Sequence, residues 1–296
     1  MPTPPLLERG GWEGFEKGIM RKHKIKIATI DLYNNERNEG MRCIGEIVNE
    51  AGIENSNIDL EYNVFETRFK DDIPDLTNDI FISSGGPGSP FEDENKKWDK
   101  DYFNLIDKIW NHNQTSDQKK YIFFICHSFQ MMARYFQFGK VNKRFINSFG
   151  VMPFSKTDIG KNDPILKNLT DPFYAADIRH WQVVNPNKKK IDEFEAKILS
   201  WEIPEEENKD NPAITSIRIS NEIVGTQFHP EADPESMLYH FKQDERKKFI
   251  IDRYSEERYF EMIALLEDQD KIKLTRKTVI PTFLNTAINN LISITV

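Results

Sequence analysis

Three short segments of this 296-residue chain gather side chains able to do chemistry. The first is YIFFICHSFQMMARYF, residues 121–136, where an apolar run ends on Cys126 and an apolar pattern then resumes at helical spacing. A thiol between a buried strand and a helix start feels the helix dipole, which favours a thiolate and therefore a nucleophile. The alternative is a core role, since free cysteine is among the most buried residue types. The second segment is GTQFHPEAD, residues 225–233, in which His229 and Glu231 stand two apart and would project to one side of an extended chain. A carboxylate so placed can fix the imidazole tautomer and support the imidazolium formed during proton transfer. The third is SSGGPGSP, residues 83–90, whose glycines let backbone N–H groups approach a bound group closely. Taken singly, these are a core cysteine, a surface triplet and an ordinary turn. Together they describe an activated cysteine, a histidine base, an orienting carboxylate and a backbone site for an oxyanion.

The surrounding pattern supplies elements to hold them. IKIATIDL, from Ile25, reads as a buried strand, and Met41, Ile44, Ile47, Val48 and Ala51 then share one face of a helix. IDLEYNVFET, DIFISS and YIFFIC are further strands; the segment around WDKDYFNLIDKIW and the run from about Ser128 are helices. This alternation predicts an α/β fold with a doubly wound, mostly parallel sheet flanked by helices. In such sheets ligands sit outside the carboxyl ends of the strands, which is where all three segments fall. The second half is richer in strands: GVMPFSKT, FYAADI, AKILSWE, and a hairpin-like pair, AITSIRIS and EIVGTQFH, around Ser220-Asn221. From Pro234 onward the pattern is helical. The expected organisation is an N-terminal extension over 1–24, rich in Pro and Gly and poorly ordered, with Met20 as an alternative start. A main domain over 25–233 follows, then a helical extension over 234–296. Apolar residues of that extension, among them Ile250, Tyr259, Ile263 and Leu266, would form a cap on the domain or a homodimer surface.

Composition narrows the function. A formal net charge of −8 argues against a nucleic-acid-binding surface. No apolar run reaches the ~18 residues of a membrane helix, and the N-terminus lacks the apolar core of a secretory signal. A cytoplasmic location is expected. Two distant cysteines make no disulfide framework, and Cys43, inside a predicted helix, reads as packing. No spaced His/Cys/carboxylate set suggests a metal, no P-loop is present, and no cofactor is expected.

The motifs, in this order, resemble the class I, triad-type glutamine amidotransferase domain across roughly residues 25–233. The family's S-G-G-P, G-x-C-x-G-H-Q and F-H-P-E correspond to Ser84-Gly85-Gly86-Pro87, Phe124-Ile125-Cys126-His127-Ser128-Phe129-Gln130 and Phe228-His229-Pro230-Glu231. SFGVMPFSKTDIGKNDPILKNL and ADIRHWQVV also fit it. The resemblance implies the flavodoxin-like amidotransferase fold and a glutaminase-type enzyme. Cys126 would form a γ-glutamyl thioester, with His229 as base and Glu231 holding it. Backbone N–H groups of Gly86 and His127 would receive the oxyanion. Gln130, His180, Trp181 and Gln182 would contact the substrate, glutamine or another γ-glutamyl compound. A separate synthetase would be the partner that takes the ammonia.

The chain departs from that family at four places. Phe124 and Ser128 stand where the elbow has glycine, Phe129 where it has histidine, and Trp181 where the pocket strand has glycine. Bulk around Cys126 would narrow the pocket and make free glutamine a poor substrate for the isolated protein. Three classes of function therefore stand: an ammonia-supplying amidotransferase, a free-standing hydrolase of another γ-glutamyl compound, and a non-catalytic binding or regulatory relative.

Overall fold

The computed structural model describes residues 23–203 and 211–293. Its first strand, β1 (His23–Ile30), opens two residues before the predicted one, so the expected extension lies outside the described residues except for His23 and Lys24. β1 sits between β2 (Ile58–Phe65) and β3 (Ile80–Ser83), and β3 is followed by β4 (Tyr121–Ile125) and β9 (Ile223–Thr226), all in parallel pairing. Beyond β9 the sheet turns antiparallel through β8 (Ile214–Arg218), β7 (Lys197–Glu202), β5 (Lys140–Lys156) and β6 (Phe173–Val184). The parallel half is what the alternating pattern announced. The antiparallel half corresponds to the strand-rich second half of the sequence, with β8 and β9 forming the expected hairpin.

The inner strands of the parallel half, β1, β3 and β4, are apolar on both sides because helices cover both faces, while the edge strand β2 keeps polar, exposed positions. In β1, Ile25 and Ile27 enter one core cluster, while Ala28 and Ile30 enter the other. α1 (Gly40–Glu54) and α9 (Ile272–Ser293) cover the first face; α3 (Lys97–Thr115) and α4 (His127–Phe136) cover the second. Val279, Ile280, Phe283, Leu284 and Ile288 of α9 belong to the same core as β1, β3 and β4, and Phe283 meets Phe123 edge-on at 5.3 Å. The last helix thus completes the sandwich that the first two hundred residues begin.

The helices between pack elsewhere. α6 (Pro234–Phe241), α7 (Asp244–Arg253) and α8 (Glu256–Glu267) gather with β5 and β6 in a smaller cluster built on Val151, Ala176, Phe241, Ile250, Tyr259 and Met262. Gly150, at φ +113°, is required there, since a Cβ would stand 2.5 Å from Met262 Sδ. Two short helices, α2 (Thr67–Lys70) and α5 (Lys188–Glu193), were not legible in the pattern. Among the described residues no helix is long and apolar enough to cross a membrane.

Candidate active site

The carboxyl ends of β3, β4 and β9 bring the three segments together. Cys126 links β4 to α4 at φ 49° and ψ −98°, a conformation costing about 1–3 kcal/mol for a residue with a side chain. Surrounding bonds hold it there. Its N–H donates to Thr226 O at 2.8 Å, and its carbonyl accepts from Gln130 N at 3.1 Å. Ser128, in the place of an expected glycine, adds a brace: its Oγ accepts from Ile125 N at 2.7 Å and donates to Ser83 O at 2.7 Å. Ser128→Ala should leave the buried Ile125 N–H without that acceptor and cost about 1–3 kcal/mol. The expected reading is a lower urea midpoint with an unchanged m-value.

The expected narrowing by Phe124 and Phe129 does not occur. Both are fully buried in the core beneath the elbow, and Phe129 packs on Phe138 at 5.6 Å. Room for them comes from across the sheet, where Phe124 pairs with Gly225 of β9. A Cβ on Gly225 would lie 2.9 Å from Phe129, 2.9 Å from Met132 Sδ and 3.0 Å from Phe124 Cβ. The bulk has moved from one strand to its neighbour's vacancy. Gly225→Ala should therefore overpack the elbow and destabilise by about 1–3 kcal/mol, seen as a drop in Tm; an unchanged Tm would count against this compensation. Trp181, by contrast, does reach the cavity and packs against Phe91 with its ring tilted, the ring centres 5.5 Å apart.

His229 follows β9, and its N–H donates to Ala176 O of β6 at 2.8 Å, which fixes the loop against the sheet. Its Nδ1 bonds Glu231 Oε1 at 2.8 Å, and Glu231 is only 1% exposed. The carboxylate thereby sets the tautomer and leaves Nε2 for chemistry. Burial alone would lower the His229 pKa, but the charges of Cys126 and Glu231, with the hydrogen bond to Glu231, hold it well above its ordinary value. The glycines of SSGGPG serve two separate ends. A Cβ on Gly85 would sit 2.9 Å from His229 Cε1, and one on Gly86 would sit 2.5 Å from Leu32 O. Gly85 admits the imidazole, and Gly86 lets the loop lie on the end of β1. Arg68, buried and paired with Asp93 at 3.1 Å, donates to Pro87 O at 2.7 Å and secures this loop.

His127 opens α4, so its N–H is one of the donors that a helix start leaves without an intrahelical acceptor. Its side chain is buried; burial, helped by Arg68 and Arg134, pushes its pKa down to about 3. A neutral buried His127 carries a stability cost in acid. Between about pH 6.5 and 3 the unfolded chain binds a proton here that the native state refuses, so native stability falls as pH falls. The group contributes a loss of about 1.4 kcal/mol per pH unit across that window. In His127→Asn, urea midpoints should decline less between pH 7 and pH 4.5 than in the parent; parallel declines would refute the assignment.

Among the other expected contacts, Gln130, His180 and Trp181 line a cavity of about 740 Å³ together with Gly86, Cys126, His127, His229 and Glu231. Gln130 Nε2 also donates to Trp181 O at 3.3 Å, tying α4 to β6. The Gln182 side chain is engaged away from it, accepting from Arg144 Nη1 at 2.8 Å beside the Arg144–Glu202 ion pair. The cavity also takes in residues that the sequence left unmarked, Tyr33 among them, and Cys43, which it read as packing. Tyr33, just past β1, has its phenol pKa pushed well above 10 by burial and by the charges of Glu231 and Cys126, and so stays neutral. Its place after a parallel strand's carboxyl end was the available signal. Cys43 also reaches the cavity wall, yet burial pushes its thiol up to about 11, which keeps it protonated at neutral pH.

The sequence model of the family described as glutamine amidotransferase class-I matches residues 48–246. No curated protein matches the chain. Among solved structures, a glutamine amidotransferase from Thermotoga maritima superposes with a TM-score of 0.61 at 18% identity, over 90% of this chain and 99% of that one. A glutamine amidotransferase from Methylobacillus flagellatus gives 0.59 at 12% identity, over 91% and 96%. The protein SMU.1228c gives 0.58 at 17% identity, over 89% and 100%. At these identities the likeness is one of fold.

Proposed function

Since the chain belongs to the class-I glutamine amidotransferase family, we propose that it hydrolyses the amide of glutamine or another γ-glutamyl compound through a thioester on Cys126. The observation that carries this reading is the strained Cys126 at the end of β4, interacting with an imidazole that Glu231 holds at 2.8 Å. His229 takes the Cys126 thiol proton as the sulfur attacks the carboxamide carbon, and the carbonyl electrons move onto oxygen, where the N–H groups of Gly86 and His127 receive the charge. His229 gives its proton to the amide nitrogen, the C–N bond breaks and ammonia leaves. His229 then takes a proton from water, hydroxide attacks the thioester, and the acid product departs as the Cys126 thiol is restored. Gln130 and the backbone of His180 and Trp181 hold the amino-acid end of the substrate.

Ammonia release would serve an acceptor carried by a separate synthetase. The hydrolase reading has its own support in the size of the cavity, which is near the upper part of the ~300–1,000 Å³ range of ligand sites. Steady-state ammonia release from glutamine, paired with trapping of the acyl-enzyme by hydroxylamine, tests the chemistry. Absence of both hydroxamate and ammonia across γ-glutamyl substrates would leave only a binding role.

A further inference from the structure

The cavity does not end at the catalytic groups. For the leaving nitrogen to be protonated it must lie within hydrogen-bond reach of His229, so any substituent on that nitrogen projects past His229 rather than toward Gln130. The chain itself builds that side: Glu231 is followed by Ala232, Asp233 and then α6, which contributes Met237, His240 and Phe241 to the cavity wall. Phe149 of β5 adds another apolar surface. This wall is fastened in place. Arg42 of α1 donates to Ser236 Oγ at 2.8 Å and to Asp233 Oδ2 at 3.2 Å, and His240 lies 4.0 Å from Glu39. An ammonia leaving group would fill none of this space.

Charge on the same wall is uneven. Glu39 and Asp233 are both engaged by Arg42, and Glu231 by His229. Among the described residues, Arg37 and Arg246 also line the cavity, and neither has a carboxylate at ion-pair distance; Arg246 lies only over the Phe249 ring, at 5.8 Å. Glu36 is the one lining carboxylate without an ion pair against these two cations. We infer that α6 and the start of α7 form a leaving-group subsite, and that the substrate is an N-substituted γ-glutamyl amide whose amine carries an apolar body and a distal carboxylate. The inference rests on thioester chemistry at Cys126. The C–N bond breaks as before, His229 supplies the proton, and the substituted amine leaves in place of ammonia; water then cleaves the thioester to the γ-carboxylate.

The test is a panel of kcat/KM values on the intact protein: L-glutamine, a neutral γ-glutamyl anilide, a γ-glutamyl amide of an amino acid, and a γ-glutamyl polyamine. Labelling of Cys126 by an electrophilic glutamine analogue runs alongside. The amide of the amino acid should exceed glutamine by at least ~10-fold, since each buried methylene is worth roughly fourfold. It should also exceed the polyamine amide, by a ratio that shrinks as salt rises. Arg246→Glu should lower that ratio by up to roughly fivefold, the scale of an exposed charge pair. Labelled Cys126 with glutamine as best substrate overturns the subsite alone, and a preference for the anilide or the polyamine overturns its charge selection. Failure to label Cys126, with no turnover of any substrate, removes the underlying chemistry itself.

Discussion

Incubation with an electrophilic glutamine analogue is expected to add one adduct, and peptide mapping to place it on Cys126. The competing thiol is Cys43, which lines the same cavity and is the chain's only other cysteine. Two features separate them. Cys126 stands at the start of α4 beside His229, whereas Cys43 lies within α1 with its thiol pushed up to about 11 by burial. The thiolate is the reactive form, so Cys43 should remain unmodified near neutral pH. Cys126→Ser should abolish labelling and lower turnover by up to roughly 10⁶, the scale seen when an enzyme loses its nucleophile. Adduct on Cys43, or labelling that survives Cys126→Ser, would falsify the assignment.

The second large effect is expected at His229. His229→Ala should lower kcat by ~10²–10⁴, the usual worth of a positioned acid–base. His180→Ala and His127→Ala should cost much less: His180 lies on the exposed side of β6, and His127 is a neutral ring held among Arg68 and Arg134. Glu231→Gln is the sharper control, because it keeps the shape while removing the charge that fixes the Nδ1 proton at 2.8 Å. Its loss should be smaller than that of His229→Ala and should appear mainly in kcat. A profile in which His127→Ala is the most damaging would move the base to the elbow.

Both predictions start from patterns legible along the chain. The IKIATI, DIFI and YIFFI runs are apolar on both faces because each strand is sandwiched, and local periodicity records that burial directly. The S-G-G-P, Cys126 and F-H-P-E motifs also lie in short continuous stretches, since a strand end and its following turn are contiguous in sequence. What periodicity could not tell is where a bulky residue points. Phe124 and Phe129 looked like obstructions beside Cys126, and only the pairing of Phe124 with Gly225, a hundred residues later, shows that they fill a vacancy in the neighbouring strand. Ser128 likewise looked like a tolerated small residue, while its bonds to Ile125 and Ser83 reveal a brace between two strands.

The sequence by itself determined the alternation of strands and helices, the order of the motifs and the residue types available for acyl transfer. Those are local properties, set by the side chain's burial and by turn chemistry over a few positions. Tertiary structure alone decided that α9 closes the sheet opened by β1, that Tyr33 and Cys43 join the cavity, and that α6 walls its far side. Each of these depends on contacts between segments tens to hundreds of residues apart, such as Arg42 with Asp233 and Phe123 with Phe283. No local pattern encodes such a meeting, because its free energy comes from surface that two distant segments bury only when the whole chain has folded.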